Sequence, residues 1–224
     1  MQSCLSNSIS PMTEGTMIKI QAHILLPGFQ TNTWLIWDDE TLDALLIDPS
    51  TPDQSLADQI QKIGLKINAI VNTHGHADHI GGNDYFKKLF NCPVLIHAED
   101  AEMLINNKKN LSDYIGSPYA LTAADRQLHD GDIVQMGKHH VKVIHTPGHT
   151  PGGICLHVHK YLISGDTLFE MSIGRTDFPG ASHEKIITSI REKLFVLPDD
   201  TIVFPGHGPR TSIGMEKKNN PFLR

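Results

Sequence analysis

Cysteine is scarce in this 224-residue chain: three residues, Cys4, Cys92 and Cys155, widely spaced and in no CxxC pair. An odd, scattered set makes no disulfide framework, so reduced thiols in a cytoplasmic protein are expected, with Cys92 and Cys155 as small buried hydrophobes. Excess positive charge is lacking as well. A net charge of −6 and a pI near 6.1 argue against a nucleic-acid surface, which needs a basic face. No run approaches the ~20 apolar residues of a membrane span. Residues 1–16 have neither a basic start nor an apolar stretch, so they read as a loosely attached, disordered leader and not as a signal peptide. No GxSxG elbow offers a serine nucleophile. The remainder is 39% hydrophobic and 20% charged, the composition of an ordinary globular protein. One catalytic domain over 17–224 is expected.

Histidine, by contrast, is abundant: there are 14, and three of them fall within Thr73-His74-Gly75-His76-Ala77-Asp78-His79-Ile80-Gly81-Gly82. An apolar run, Ile67 to Val71, precedes this stretch with strand character. Asp84 to Phe90 follows it at helical spacing. The cluster therefore sits on a turn between a strand and a helix, the end where α/β proteins commonly place their sites. His74 and His76 converge on one divalent ion only if the backbone turns sharply, which Gly75 permits. Asp78 and His79 lie on the next turn and point toward a second position. Imidazole with carboxylate suits zinc, iron or manganese.

Three later segments repeat one pattern of short apolar strand, then Gly or Pro, then a single candidate ligand. Val141 to Ile144 leads to His149, Tyr161 to Ile163 to Asp166, and Thr201 to Phe204 to His207. Strands are also expected over Met17–Leu25, Thr31–Trp37, Leu42–Ile47, Pro93–Ile96 and Asp132–Met136. Helices are expected over Pro52–Ile63, near Ala98–Ile105 and over Ser182–Leu194. Asn106–Ala120 reads as a surface excursion bordering the cleft. His97 is expected as a hydrogen-bonded strand end, His157 and His159 as a surface pair, and His139-His140 as a solvated tandem. Arg210, Lys217 and Lys218 read as a solvated tail.

The HxHxDH cluster, His149, Asp166, His207 and the strand end Leu46-Ile47-Asp48-Pro49 together resemble the metallo-β-lactamase fold superfamily, over Met17 to Pro209. The stretches Gly165 to Phe169, Gly174 to Gly180 and Gly206 to Pro209 look like the short glyoxalase II-like hydrolases within it. The resemblance implies an α/β protein built as a four-layer α/β/β/α sandwich. It implies two divalent metal ions, zinc before iron or manganese. His74, His76 and His149 would hold one, Asp78, His79 and His207 the other, and Asp166 would bridge them. Asp48 would support the metal loop, although a turn aspartate is an equally ordinary role for it.

Two adjacent ions share a water and bring its pKa from about 15.7 toward 7, which makes a bridging hydroxide the expected nucleophile, with Asp78 as ligand and orienting group. A thiolate, with a pKa near 8.5, leaves without strong acid help. The resemblance to glyoxalase II implies a small anionic acyl thioester such as S-lactoylglutathione as the partner, and the protein is expected as a monomer or small homo-oligomer. Arg175 is the candidate anchor for its carboxylate, unless Asp177 pairs with it instead. Glyoxalase II carries a helical C-terminal domain, but only 17 residues follow His207 here, so no such domain is expected and glutathione specificity does not follow. Three alternatives stay open: a mononuclear iron enzyme resembling persulfide dioxygenase, which shares a Gly-Arg-Thr-Asp-Phe stretch; a hydrolase of another ester or lactone; and a non-catalytic module, against which the full set of seven ligands argues.

Overall fold

The computed structural model describes residues 18–115 and 119–224. The 1–16 leader, Met17 and Cys4 lie outside the described residues. Two six-stranded sheets face each other. The first holds β1 (Ile18–Ile24), β2 (Asn32–Asp38), β3 (Asp43–Ile47), β4 (Lys66–Val71), β5 (Val94–His97) and β6 (Arg126–Leu128), in that order. In the second, β7 (Ile133–Met136), β8 (His139–His145), β9 (Ile154–Val158), β10 (Tyr161–Gly165), β13 (Ile202–Pro205) and β14 (Thr211–Ser212) lie side by side. A small ribbon of β11 (Leu168–Phe169) and β12 (Ser172–Ile173) separates β10 from β13 in sequence.

Three apolar clusters define four layers. Alternate residues of the two sheets, among them Ile36, Leu45, Val71, Val143, Leu156 and Ile163, interleave between them. The other faces bury against helices, because β3, β4 and β10 are apolar on both sides, as strands sandwiched between layers must be. Leu35, Leu46 and Ile70 pack on α1 (Gln54–Ile63) and α3 (Asn83–Phe90) through Leu56, Ile60 and Phe86. Cys155, Leu162 and Val203 pack on α5 (His183–Ser189) and α6 (Ile213–Asn219). The α/β/β/α sandwich is therefore the fold. Cys92 and Cys155 are buried free thiols, each pushed up to about 11 by burial.

Several local expectations need correction. The segment 182–194 is not one regular helix: Ser182 caps α5, accepting from Lys185 N, and the chain widens into a π turn over Ile190–Leu194. Arg210, Lys217 and Lys218 are exposed, as a solvated tail should be, but the two lysines ride on a helix that was not expected. Ser212 caps α6 by accepting from Met215 N, Lys217 pairs with Asp199 at 2.6 Å, and Glu216 is buried where Thr211 and Asn220 donate to it. His139 is not solvated but buried in β8, its Nδ1 2.9 Å from His159 Nε2. His157 and His159 do not form a surface pair. His157 is half-buried in β9, whereas His159 leaves the strand at φ +52° and reaches His139.

Candidate metal centre

Five strands deliver their following residues to one end of the sandwich. β3 ends at Asp48, β4 at the His74 loop, β8 at the His149 loop, β10 at Asp166 and β13 at His207. A short helix, α2 (Ala77–Ile80), carries Asp78 and His79, whose ring centre lies 4.1 Å from that of His74. Gly75 is required for a reason other than the sharp turn expected of it. Its backbone is not left-handed; a Cβ there would lie 2.4 Å from Met103 Cβ.

The structure brings all seven sequence-predicted residues into one pocket. His74, His76 and His149 place one ligand atom each within 4.8 Å of one another, and so do Asp78, His79 and His207. Asp166 stands between the two groups. Its Oδ2 lies 3.5 Å from both His149 Nε2 and His207 Nε2, and its Oδ1 3.5 Å from His79 Nε2.

Each imidazole but His76 has its outer nitrogen fixed. Thr73 Oγ1 meets His74 Nδ1 at 3.2 Å, and Asp48 Oδ2 meets His79 Nδ1 at 3.0 Å. The carbonyl of Arg175 meets His149 Nδ1 at 2.8 Å and that of Phe29 meets His207 Nδ1 at 3.1 Å. An Nδ1–H donating outward leaves an Nε2 lone pair facing the pocket, the tautomer a metal ligand needs. His76 turns Nδ1 inward instead, 2.9 Å from His149 Nε2.

The residues fit divalent cations. His74 Nε2 and Asp166 Oδ1 are buried with no hydrogen-bond partner, an arrangement that buried polar atoms avoid unless something else satisfies them. Burial and the neighbouring imidazoles hold His74 well below its usual value and His76 at about 3. Burial opposes the charge of His79 as well, but Asp78, Asp166 and Asp48 outweigh it and raise His79 to about 9. Burial is likewise overcome at His207, raised to about 11 by Asp166 and Asp78. Against burial, His79 and His207 hold Asp78 well below the usual carboxylate range and Asp166 at about 2. Carboxylates that draw protons onto imidazoles mark a pocket arranged for positive charge.

Several residues that sequence reasoning passed over complete the site. Thr31 bridges to His207 and its Oγ1 donates to Asp78 Oδ2 at 3.0 Å. Tyr119 OH donates to the carbonyl of Ala77. Asp100, buried behind the loops, accepts from Gly75 N, Thr150 Oγ1 and Gly152 N. A cavity of about 500 Å³ opens in front of His76 and Asp78, walled by Phe29, Leu111, Phe178 and Pro179. Asn110 and Leu111 come from the segment expected to border the cleft. Arg175 lies at the mouth; its fork grips Asp177 at 2.9 and 2.8 Å and stacks 4.3 Å from the Phe178 ring centre. Phe169, half-buried, reaches His207 edge-on with ring centres 6.1 Å apart.

A further group, His97, Glu99 and His145, also gathers three ligand atoms. Its rings are stacked 3.9 Å apart at 16°, which sends their lone pairs side by side and not toward one point. His97 Nδ1 already accepts from Glu99 N, as a strand-end histidine would, and His145 Nε2 meets the carbonyl of Pro151.

The profile of the family described as "Metallo-beta-lactamase superfamily" matches residues 26–207. Hydroxyacylglutathione hydrolase GloC of Haemophilus influenzae is 38% identical over 204 residues, covering 89% of this chain and 96% of that protein. Among solved structures, the BLEG-1 B3 metallo-beta-lactamase superposes with a TM-score of 0.86 at 36% identity, over 92% of this chain and 99% of that one. TTHA1623 in a di-iron-bound form gives 0.80 at 33% identity, over 91% and 100%.

Proposed function

We propose that this chain, which belongs to the metallo-beta-lactamase superfamily, is a two-metal hydrolase of small acyl thioesters such as S-lactoylglutathione. The observation that carries this reading is the seating of Asp166 between two ligand triads, one oxygen 3.5 Å from an imidazole of each. The likeness to a hydroxyacylglutathione hydrolase supplies the substrate class. In this reading His74, His76 and His149 would hold one ion and Asp78, His79 and His207 the other, with Asp166 available to both. Zinc suits this donor set, and iron or manganese fits it too. Ions held there would bring the pKa of a shared water from about 15.7 toward 7 and polarise the thioester carbonyl.

The chain's own residues do the rest. Asp78 stays ionised on the cleft floor; Thr31 fixes its Oδ2, which faces His79 and His207, and leaves the other oxygen to orient the attacking water. Phe29, Leu111 and Phe178 surround the acyl group with apolar surface and keep bulk water from the reacting carbon. Arg175 offers its fork to an anionic group at the mouth. Its pair with Asp177 is exposed on both sides, so solvent screens it and an incoming carboxylate can exchange into it. The thiolate product departs unaided, its pKa being near 8.5.

Hydrolysis of S-lactoylglutathione by purified, metal-assayed protein and by its His76→Ala variant tests the proposal. Turnover that disappears in the variant is the expected result. Oxygen uptake with a single bound iron and no hydrolysis would replace it with the mononuclear dioxygenase.

A further inference from the structure

The three imidazoles of the first triad come from two chain segments that leave different sheets, β4 for His74 and His76 and β8 for His149. One side chain ties those segments together. Asp100 ends the turn that follows β5 and is completely buried. Its Oδ2 accepts from Gly75 N at 3.2 Å and from Thr150 Oγ1 at 2.7 Å, and its Oδ1 from Gly152 N at 2.6 Å. Gly75 lies between His74 and His76, and Thr150 follows His149. None of the three donors is a cation, and none belongs to Asp78, His79 or His207.

We propose that Asp100 is the positioning residue of the His74–His76–His149 site and sets the metal affinity of that site alone, an inference that rests on the two-ion reading above. Burying a carboxylate without a cationic partner is costly, and the cost is offset only when its lone pairs are filled. Here both oxygens are engaged, and both engagements fall on ligand loops. His76 and His149 stand 2.9 Å apart across the joint; a ligand constellation tolerates displacements of only about 0.5 Å. Loosening the clamp therefore parts the first triad while leaving the second intact. Asp48 differs, because it reaches His79 directly and His74 through Thr73, and so supports both sites. Asparagine cannot replace Asp100. Its amide turns one oxygen into a donor, which then faces N–H or O–H groups that also donate.

The test is Co(II) titration with chelator competition on the full chain, using His76→Ala and His207→Ala to mark the signature of each site. Asp100→Asn is expected to weaken the first site by about 10–100-fold, the usual cost of losing a group that orients ligands, with the second site unchanged. Thr150→Val removes one donor at constant shape and should shift the first site alone in the same direction, by less. It carries the test if Asp100→Asn fails to fold. Unchanged affinity at both sites, or a parallel loss at both, overturns the proposal. Wild-type protein binding a single ion overturns the two-ion reading itself, and that result is visible before any variant is compared.

Discussion

Replacing Asp48 by Asn changes no volume but reverses a set of hydrogen bonds. Asp48 is 1% exposed and sits at φ +50°, a left-handed conformation that Asn also tolerates. Its Oδ1 accepts from Thr73 N at 2.7 Å; its Oδ2 accepts from Thr73 Oγ1 at 2.6 Å and meets His79 Nδ1 at 3.0 Å. In the variant, the amide oxygen best serves Thr73 N, which turns the amide NH2 toward Thr73 Oγ1 and His79. The Thr73 hydroxyl can rotate to accept, but His79 Nδ1 must give up its proton. That proton moves to Nε2, the atom facing Asp78, Asp166 and His207, and a protonated nitrogen is no ligand. Loss of such an orienting partner lowers metal affinity about 10–100-fold, or roughly 1.4–2.7 kcal/mol at 1.36 kcal/mol per tenfold. The larger loss falls at the His79 site, with a smaller one at His74 through the rotated Thr73. Chelator-competition titrations of the two proteins read this directly. An Asp48→Asn variant with wild-type affinity at both sites would refute the tautomer argument.

Three further outcomes follow from the same geometry. A Cβ on Gly206 would lie 2.2 Å from Asp166 Oδ1 and 2.9 Å from His79 Cε1, so Gly206→Ala should cost metal affinity by at least about tenfold while circular dichroism stays native. Burial and the neighbouring His145 hold His97 at about 4 against 6.5 in the unfolded chain. Its contribution to stability is complete above pH 6.5 and is lost as pH falls toward 4, on the order of 1–3 kcal/mol; urea midpoints across that window should be flatter for His97→Gln than for wild type. Arg175→Ala should raise KM for an anionic thioester with little change in kcat, and Asp177→Ala should lower KM by freeing the guanidinium; steady-state kinetics at fixed ionic strength checks both.

Residues that act on their own neighbours were legible in the sequence. His74 to His79 advertise themselves because a turn between strand and helix concentrates ligands within a few positions. His149, Asp166 and His207 show through a strand, Gly or Pro, then one polar residue. The four layers were expected from the family resemblance, and they form because β3, β4 and β10 are apolar on both faces while the helices bury one stripe. What escaped acts across long sequence separations. Asp100 looks like any acid at a helix start; its one signal is its place, just past a strand ending at the same rim as the ligand loops. Thr31 gave no signal and Tyr119 only its place in the segment expected to border the cleft, since a single hydrogen bond to Asp78 or Ala77 leaves no local pattern. The buried His139 was read as solvated because His139-His140 follows Gly137, whereas the turn closes one residue earlier and puts His139 in β8. The helix α6 was missed because seven residues with a Gly in the first turn carry too short a period to register.

The central claim is that seven side chains form two adjoining metal sites sharing Asp166. Elemental analysis of the purified protein, wild type and His207→Ala, measures it most directly. About two ions per wild-type chain, with only the ion at His74, His76 and His149 surviving in the variant, is the result expected. A single ion per wild-type chain, held equally well by the variant, would contradict it.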